Sequence, residues 1–170
     1  MELLKTATDW AKAEVFSSQF FIIFGVLFML ASVGFWQMGK TELAKAFVIP
    51  TLVAGVLLLV IGIGLVYSNK SRIATFPTAH ESDASAFLQS EISRTEHTMA
   101  EYQTVVFKVI PLIIVVAALL FLFVDKPTWR AISSTTIAMM VVILLVDTNA
   151  NARLEGYNQQ LLSIEKGLSD

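Results

Sequence analysis

Residues 46–69 read AFVIPTLVAGVLLLVIGIGLVYSN, a run of 24 residues without a charged side chain. A helix needs about 20 apolar residues to cross the hydrocarbon core of a bilayer, so this run is long enough for one span. Residues 15–39 form a second run, of 25 uncharged residues. Both runs are continuously apolar rather than alternating, which favours membrane helices over membrane strands.

Two further apolar runs lie in the second half of the chain. The third, residues 102–124, is interrupted only by Lys108, whose aliphatic stem can carry its ammonium group to the membrane surface. The fourth has 16 uncharged residues between Arg130 and Asp147 and reaches full length with its flanking residues. The sequence therefore predicts an all-α polytopic membrane protein: a single membrane domain, residues 1–170, with a four-transmembrane-helix bundle over residues 17–38, 46–67, 104–124 and 129–148.

The composition also favours a membrane protein over a soluble domain. Hydrophobic residues make up 55% of the chain and charged residues 15%, against about 45–50% and about 25% in average soluble proteins. The net charge of −2, without a block of like charges, gives no reason to expect a nucleic-acid partner. The absence of cysteine excludes disulfides, thiolate nucleophiles, iron–sulfur clusters and thiolate zinc sites.

Four spans place both termini and the segment between spans two and three on the same side of the membrane. Of the 12 lysines and arginines, eight lie on that side and four lie on the two short loops opposite. Cytoplasmic loops of membrane proteins are enriched in these residues. We therefore expect an integral protein of a bacterial inner membrane with both termini in the cytoplasm.

The polar segments next to the membrane show weaker local signals. Residues 68–79 are polar and contain Pro77, which predicts a connector where the second helix stops. Ser82 or Asp83 is a candidate N-cap for the helix that follows. At the amino terminus, the short mixed segment 3–12 predicts either an interfacial helix or a frayed lead-in.

The remaining polar segments each contain an apolar stripe at heptad spacing. The stripes alternate steps of four and three residues, as in the a and d positions of a coiled coil. This pattern predicts extramembrane helices over residues 82–103 and 149–168 that continue spans three and four and pair as an antiparallel cytoplasmic hairpin. Ordinary helix packing explains such a seam, and a docking surface for a partner is the alternative. The seam residues are Leu88, Ile92, Met99 and Tyr102 in the first helix and Leu154, Tyr157, Leu161 and Ile164 in the second.

Charged residues near the membrane give few candidates for chemistry. Lys108 and Asp147 lie at the same end of spans three and four, which predicts a structural ion pair, with a proton or ion relay as the alternative. His97, with Glu91 and Arg94, is typical of a solvated helix face rather than a metal site. Neither histidine of the chain lies in a span, so no axial haem ligands are predicted between the membrane helices.

Small and hydroxyl-bearing residues within the spans predict helix packing. Close approach of the helices is allowed by the small residues Gly25, Ser32 and Gly34 of span one and Thr51, Gly55, Gly62 and Gly64 of span two. The serines and threonines of residues 133–136 are expected to bond backbone carbonyls or to hold helices together, with a pore lining as the alternative.

The two halves of the chain also resemble each other. The intervals from Glu14 to Lys40 and from Glu101 to Lys126 are 26 and 25 positions, and Arg72 follows span two much as Arg153 follows span four. Such a pattern is typical of the repeats in transporter folds, although any two membrane hairpins share this spacing of charges.

No catalytic residue, metal site or cofactor is predicted, and the chain is expected not to be an enzyme. The favoured function is an accessory, assembly or interaction subunit that binds a partner through its cytoplasmic helical hairpin. Membrane lipids and a homo-oligomer or a larger membrane complex are the expected partners, without nucleic acid.

A second hypothesis rests on architecture. Over residues 85–168 the chain resembles the MotA/TolQ/ExbB proton-channel subunits, which also prolong two spans as cytoplasmic helices. The order of the hydroxyl-bearing Thr135 and Thr136 and then the helix of residues 154–168 is also similar to that family. This resemblance implies an ion-conducting oligomeric channel subunit. A small transporter or a membrane enzyme is the third alternative.

Overall fold

The computed structural model describes residues 2–169, which are helical almost throughout and contain no strand within that range. A π-helical segment, Val105–Val109, joins the fourth helix to the fifth without a break. The fold class is therefore all-α, as predicted. The helices are α1 (Glu2–Met38), α2 (Glu42–Ala46), α3 (Val48–Ser82), α4 (Ala84–Thr104), α5 (Ile110–Phe123) and α6 (Pro127–Ser169).

Four helical units are long and apolar enough to cross a membrane, in agreement with the four predicted apolar runs. They comprise α1, the unit of α2 with α3, the unit of α4 with α5, and α6. Most side chains in their apolar windows are not buried by the protein itself. Such an apolar exterior is what a helix facing lipid requires.

Packing of the long apolar helices centres on α1, α3 and α6. The pair α1 and α3 packs extensively, and α6 packs against α1, α3 and α5. Phe21 of α1, Leu58 of α3, and Val142 and Val146 of α6 form the buried core of the apolar part of the bundle. Ser32 of α1 adds a bond across the hairpin, because its Oγ donates to the carbonyl oxygen of Val48 at 2.7 Å.

Glycines set the close approach of α1 and α3. A Cβ atom on Gly55 would lie 2.8 Å from the carbonyl oxygen of Gly25, and one on Gly25 would lie 2.9 Å from the carbonyl oxygen of Gly55. A Cβ on Gly62 would meet Phe21 and Ile22 at less than 3.0 Å. The predicted helix approach is therefore present at Gly25, Gly55 and Gly62, whereas nothing lies within 4 Å of the Cβ positions of Gly34 and Gly64.

The helices continue beyond the apolar runs into what we call the polar head, residues 2–14, 69–104 and 149–168. All four helical units contribute to one apolar core there, in which Leu3 and Ala7 of α1 and Phe76 of α3 lie with residues of α4 and α6. Thr95 Oγ1 of α4 also donates to Asn158 Oδ1 of α6 at 2.8 Å. The polar head is thus built from four helices, where the sequence predicted only two.

Two local predictions are corrected by this packing. Pro77 lies inside α3, which continues to Ser82, because Phe76 is anchored in the core of the polar head and the tertiary contact outweighs the lost backbone bond. The amino-terminal segment is neither frayed nor a separate interfacial helix. It is the first part of α1, and its apolar face packs onto the same core.

The other helix boundary follows the sequence. Asp83 is in an extended conformation between α3 and α4, and its Oδ1 accepts a bond from the backbone N–H of Ala86 at 2.9 Å. An aspartate at this position satisfies a free helix donor and favours the positive end of the helix. Asp83 is therefore the N-cap of α4.

Candidate functional site

A network of charged and aromatic side chains lies inside the polar head, next to the ends of the predicted spans. Each long helix contributes to it, so that the site exists only when the four-helix head is assembled. The members are Trp10 and Glu14 of α1, Asn69 and Arg72 of α3, Glu91, Arg94 and Tyr102 of α4, and Arg153 and Tyr157 of α6.

Glu91 is the best buried carboxylate of this network, with 5% of its surface exposed. Arg94, one turn later on α4, binds it with two bonds, from Nε to Oε1 at 3.0 Å and from Nη2 to Oε2 at 2.6 Å. The hydroxyl of Tyr157 on α6 donates to Oε2 at 2.8 Å. Burial and the nearby Glu91 raise the pKa of Tyr157, so this phenol keeps the proton that it donates.

Aromatic stacking joins this group to α1. The rings of Trp10 and Tyr157 stack with centroids 4.9 Å apart and an interplanar angle of 9°. The guanidinium carbon of Arg94 lies 4.5 Å from the centroid of the Trp10 ring, within the range of a cation–π contact. Trp10 therefore covers the ion pair, and the amino-terminal end of α1 closes the site.

A second ion pair links α1 to α6. Arg153 Nε donates to Glu14 Oε1 at 3.0 Å, and Arg153 Nη2 lies 2.9 Å from the same oxygen. The Glu14 side chain is 13% exposed and that of Arg153 is 31% exposed. Burial is the larger influence on Glu14 and raises its pKa, although Arg153 acts in the opposite direction.

The raised pKa of Glu14 predicts a pH dependence of stability. An acid whose pKa is higher in the folded state than in the unfolded chain binds its proton more tightly on folding, so its stabilising contribution is largest below the ordinary pKa of 4.5. That contribution is lost as the pH rises from 4.5 through the folded-state pKa.

We therefore expect the wild type to lose more free energy of unfolding than Glu14→Gln over this interval, as measured by thermal unfolding in detergent at a series of pH values. Parallel pH profiles for the two proteins would contradict the expectation. Glu96→Gln, on the exposed face of α4, is the matched control and should follow the wild-type profile.

Arg72 differs from the other two arginines of the network, because it forms no ion pair among the residues that the structure describes. Its Nη1 donates to Asn69 Oδ1 at 3.2 Å, and the Nδ2 of buried Asn69 donates in turn to the carbonyl oxygen of Leu65 at 3.0 Å. Burial, followed by the neighbouring charge of Arg94, lowers the pKa of Arg72. The side chain lines a cavity of about 220 Å³.

The predicted seam residues all fall in the apolar core beside this network. Leu88, Ile92, Leu154, Tyr157 and Leu161 are buried in it, and the other three, Met99, Tyr102 and Ile164, pack against it. Two of them also carry polar groups of the site, since Tyr157 binds Glu91 and Tyr102 lines the cavity. The seam therefore positions the network.

The predicted pair of Lys108 and Asp147 is not formed among the described residues. Val106 and Ile110, two positions to either side of Lys108, are the buried positions of this turn, so Lys108 is directed outward and is exposed. Asp147 is half-buried on α6.

Two other predictions about polar residues need correction. Glu91 and Arg94 belong to the interior of the head rather than to a solvated face, because Tyr157 and Trp10 come from other helices to meet them. His97 does lie on the exposed face, 3.6 Å from Glu101. In the spans, Ser133 Oγ and Thr135 Oγ1 are buried without a hydrogen-bond partner among the described residues, so the predicted bonds to backbone carbonyls are absent for these two.

Sequence reasoning missed Trp10, Glu14 and Arg72 as members of a common site. The one available signal was the similarity of the two halves, which aligned Arg72 with Arg153 and Glu14 with Glu101. All four of these residues lie in the network or line its cavity. Within residues 2–169, no three histidine, aspartate or glutamate side chains lie close enough together to hold a metal ion.

Comparisons of the chain with models of protein families, with curated proteins and with solved structures give no match. The site is therefore interpreted from its own geometry.

Proposed function

We propose that this protein is an integral membrane protein with four transmembrane helices that acts as a non-enzymatic interaction subunit, with its polar head in the cytoplasm. One observation carries the proposal: the ends of all four long helices pack on a single core, in which the carboxylates of Glu14 and Glu91 are held by arginines. Such an interior supplies rigidity, because each inward carboxylate is committed to a partner. The outer surface of the head is then the part available for binding.

The outer face of α4 suggests the chemistry of the partner. Arg94 is the only lysine or arginine of α4, and it is turned inward to Glu91. Glu96 and Glu101 remain exposed on the two flanks of the solvent side of α4, and Asp83 is exposed at the start of the helix. An acidic face of this kind favours a partner with a basic surface, since complementary potentials guide association and specify partners.

Charge reversal on α4 tests the proposal. A photoreactive amino acid at position 96 should crosslink, in cells, to one other protein, and Glu96→Lys with Glu101→Lys should abolish the co-purification of that protein. Reversing basic residues of the partner should restore it. The matched control is Asp9→Lys on α1, because α1 and α4 both pack against α3 and α6 and so lie diagonally in the head. Loss of co-purification in both the α4 double variant and Asp9→Lys would contradict binding through a specific face of α4.

The channel hypothesis has one observation in its favour. The buried hydroxyls of Ser133 and Thr135 lack partners among the described residues, and water in a path through the helix bundle would satisfy them. Proton flux into liposomes that contain only this protein, lost in a Thr135→Val variant, would support the channel and overturn the interaction subunit. We expect no flux above that of empty liposomes.

A further inference from the structure

The cavity of about 220 Å³ inside the network is placed at the junction of the polar head and the predicted spans. It is lined by polar side chains of α1, α3 and α4, together with the apolar Leu65 of α3 and Ala150 and Leu154 of α6. Its polar residues come shortly before spans one and three or shortly after span two, and Leu65 lies in the last turn of span two. In a bilayer, this level coincides with the phosphates of the lipid headgroups.

The charges around the cavity do not balance within the network. The three arginines at positions 72, 94 and 153 face two carboxylates, Glu14 and Glu91, each of which is taken up by one arginine. Arg72 donates one hydrogen bond, to the neutral Asn69, and the attraction of Glu91 and Glu14 does not offset burial and the repulsion of Arg94, so the pKa of Arg72 is lowered. A half-buried cation without an anion is costly, so the site favours an anionic ligand.

The cavity also offers neutral hydrogen-bond donors. Tyr102 lines it, and its hydroxyl makes no hydrogen bond with any residue that the structure describes; burial raises its pKa, which keeps the phenol protonated. Trp10 lines it as well, and its indole Nε1 is buried and has no acceptor among the described residues. Arginine together with hydroxyl and N–H donors is the usual set that binds phosphate oxygens.

Two carboxylates also line the cavity, and an unpaired carboxylate close to a bound anion would repel it. Glu14 is held by Arg153, which neutralises it. Glu101 is 62% exposed, lies at the outer edge and is 3.6 Å from His97. Neither one forms an ion pair with Arg72. The positive charge of Arg72 is therefore not neutralised by an ion pair with either of these carboxylates.

Helix packing on the span side of the cavity leaves α3 and α5 apart. Among the described residues, α5 packs along α6, and neither α1 nor α3 packs along α5.

We propose that this cavity binds a phosphate group, carried by a phospholipid headgroup or by a soluble phosphate ester, with Arg72 as its cationic ligand and Tyr102 as a neutral donor. The shared chemistry is a tetrahedral oxyanion recognised by one guanidinium and by O–H and N–H donors. Bound phosphate would supply the negative charge that the network lacks.

The test uses the full chain in a neutral detergent, with two probes. Native mass spectrometry measures binding of phosphatidylglycerol, and thermal unfolding measures stabilisation by glycerol phosphate. We expect Arg72→Gln to weaken binding about tenfold or more, because it removes a charge-assisted contact. Tyr102→Phe should weaken binding about threefold, as expected for one neutral hydrogen bond. Lys70→Gln is the matched control, an exposed cation two residues away that does not line the cavity.

The outcomes separate the two sources and the competing explanation. If the wild type binds phosphatidylglycerol, Arg72→Gln loses that binding and glycerol phosphate stabilises neither protein, the ligand is a lipid headgroup. If glycerol phosphate stabilises the wild type but not Arg72→Gln, and phosphatidylglycerol does not bind, the ligand is a soluble ester. Equal losses in Arg72→Gln and Lys70→Gln would overturn the proposal, as diffuse attraction to anions would explain them. Absence of binding by either probe would also overturn it.

Without ligand, Arg72→Gln should unfold at the same temperature as the wild type or higher, since it removes an unbalanced cation. A lower unfolding temperature with unchanged binding would instead assign Arg72 a purely structural role and overturn the proposal. Tyr102→Phe provides the binding test if the arginine variant does not fold.

Discussion

Glu91→Leu is expected to lower the free energy of unfolding by about 3–5 kcal/mol, the range for removal of one partner from a buried ion pair. The substitution leaves the Arg94 guanidinium without its two bonds and the Tyr157 hydroxyl without its acceptor, in the interior of the polar head. Chemical denaturation in detergent, followed by intrinsic tryptophan fluorescence, measures the loss. Glu96→Leu, on the exposed face of the same helix, should change the free energy of unfolding by less than about 0.5 kcal/mol.

The double variant Glu91→Leu with Arg94→Met distinguishes the cost of an unpaired charge from the value of the pair. Replacing both partners by apolar side chains of similar size removes the desolvation penalty along with the attraction. We expect the double variant to recover most of the lost stability. If its destabilisation equals the sum of the two single changes, Glu91 and Arg94 are not coupled, and the network described here is wrong.

Gly55→Ala is expected to lower the free energy of unfolding by about 1–3 kcal/mol, the usual cost of overpacking a tight contact. The new Cβ would lie 2.8 Å from the backbone oxygen of Gly25 and 3.0 Å from the backbone nitrogen of Met29, and neither backbone atom can move without separating α1 from α3. Gly64→Ala is the matched control on the same helix, because nothing lies within 4 Å of its Cβ position.

We expect Gly64→Ala to unfold at the wild-type temperature or slightly above it, since alanine favours helix more than glycine does. Equal destabilisation by the two substitutions would indicate a general effect of glycine in α3. A stable Gly55→Ala protein would show that α1 and α3 do not approach each other as closely as described.

The sequence was sufficient for the number and position of the long helices. Uninterrupted apolar runs have few alternatives, and the heptad stripes located most of the residues that α4 and α6 contribute to the core of the polar head. The continuation of α3 through Pro77 could not be predicted in the same way. A local rule ends the helix there, whereas the anchoring of Phe76 in the core, a contact across helices, maintains it.

The candidate site was beyond the reach of sequence patterns for a similar reason. Glu91 and Arg94 have the spacing of an ordinary exposed ion pair, and only the arrival of Tyr157 from α6 and Trp10 from α1 makes the pair internal. Arg72 looks like any basic residue that flanks a span. Its importance arises because no carboxylate of the described residues forms an ion pair with it, and this becomes visible only when the helices are assembled.

Single-cysteine labelling tests the central claim, that four spans carry the polar head on the cytoplasmic side. The chain contains no cysteine, so one introduced at Ser85, Ser163 or Thr41 provides the only thiol, and all three positions are exposed. With a membrane-impermeant reagent, cysteine at position 41 should react in intact cells, and cysteine at 85 or 163 should react only after the cells are opened. Labelling of position 85 or 163 in intact cells, or of all three positions from the same side, would contradict the account.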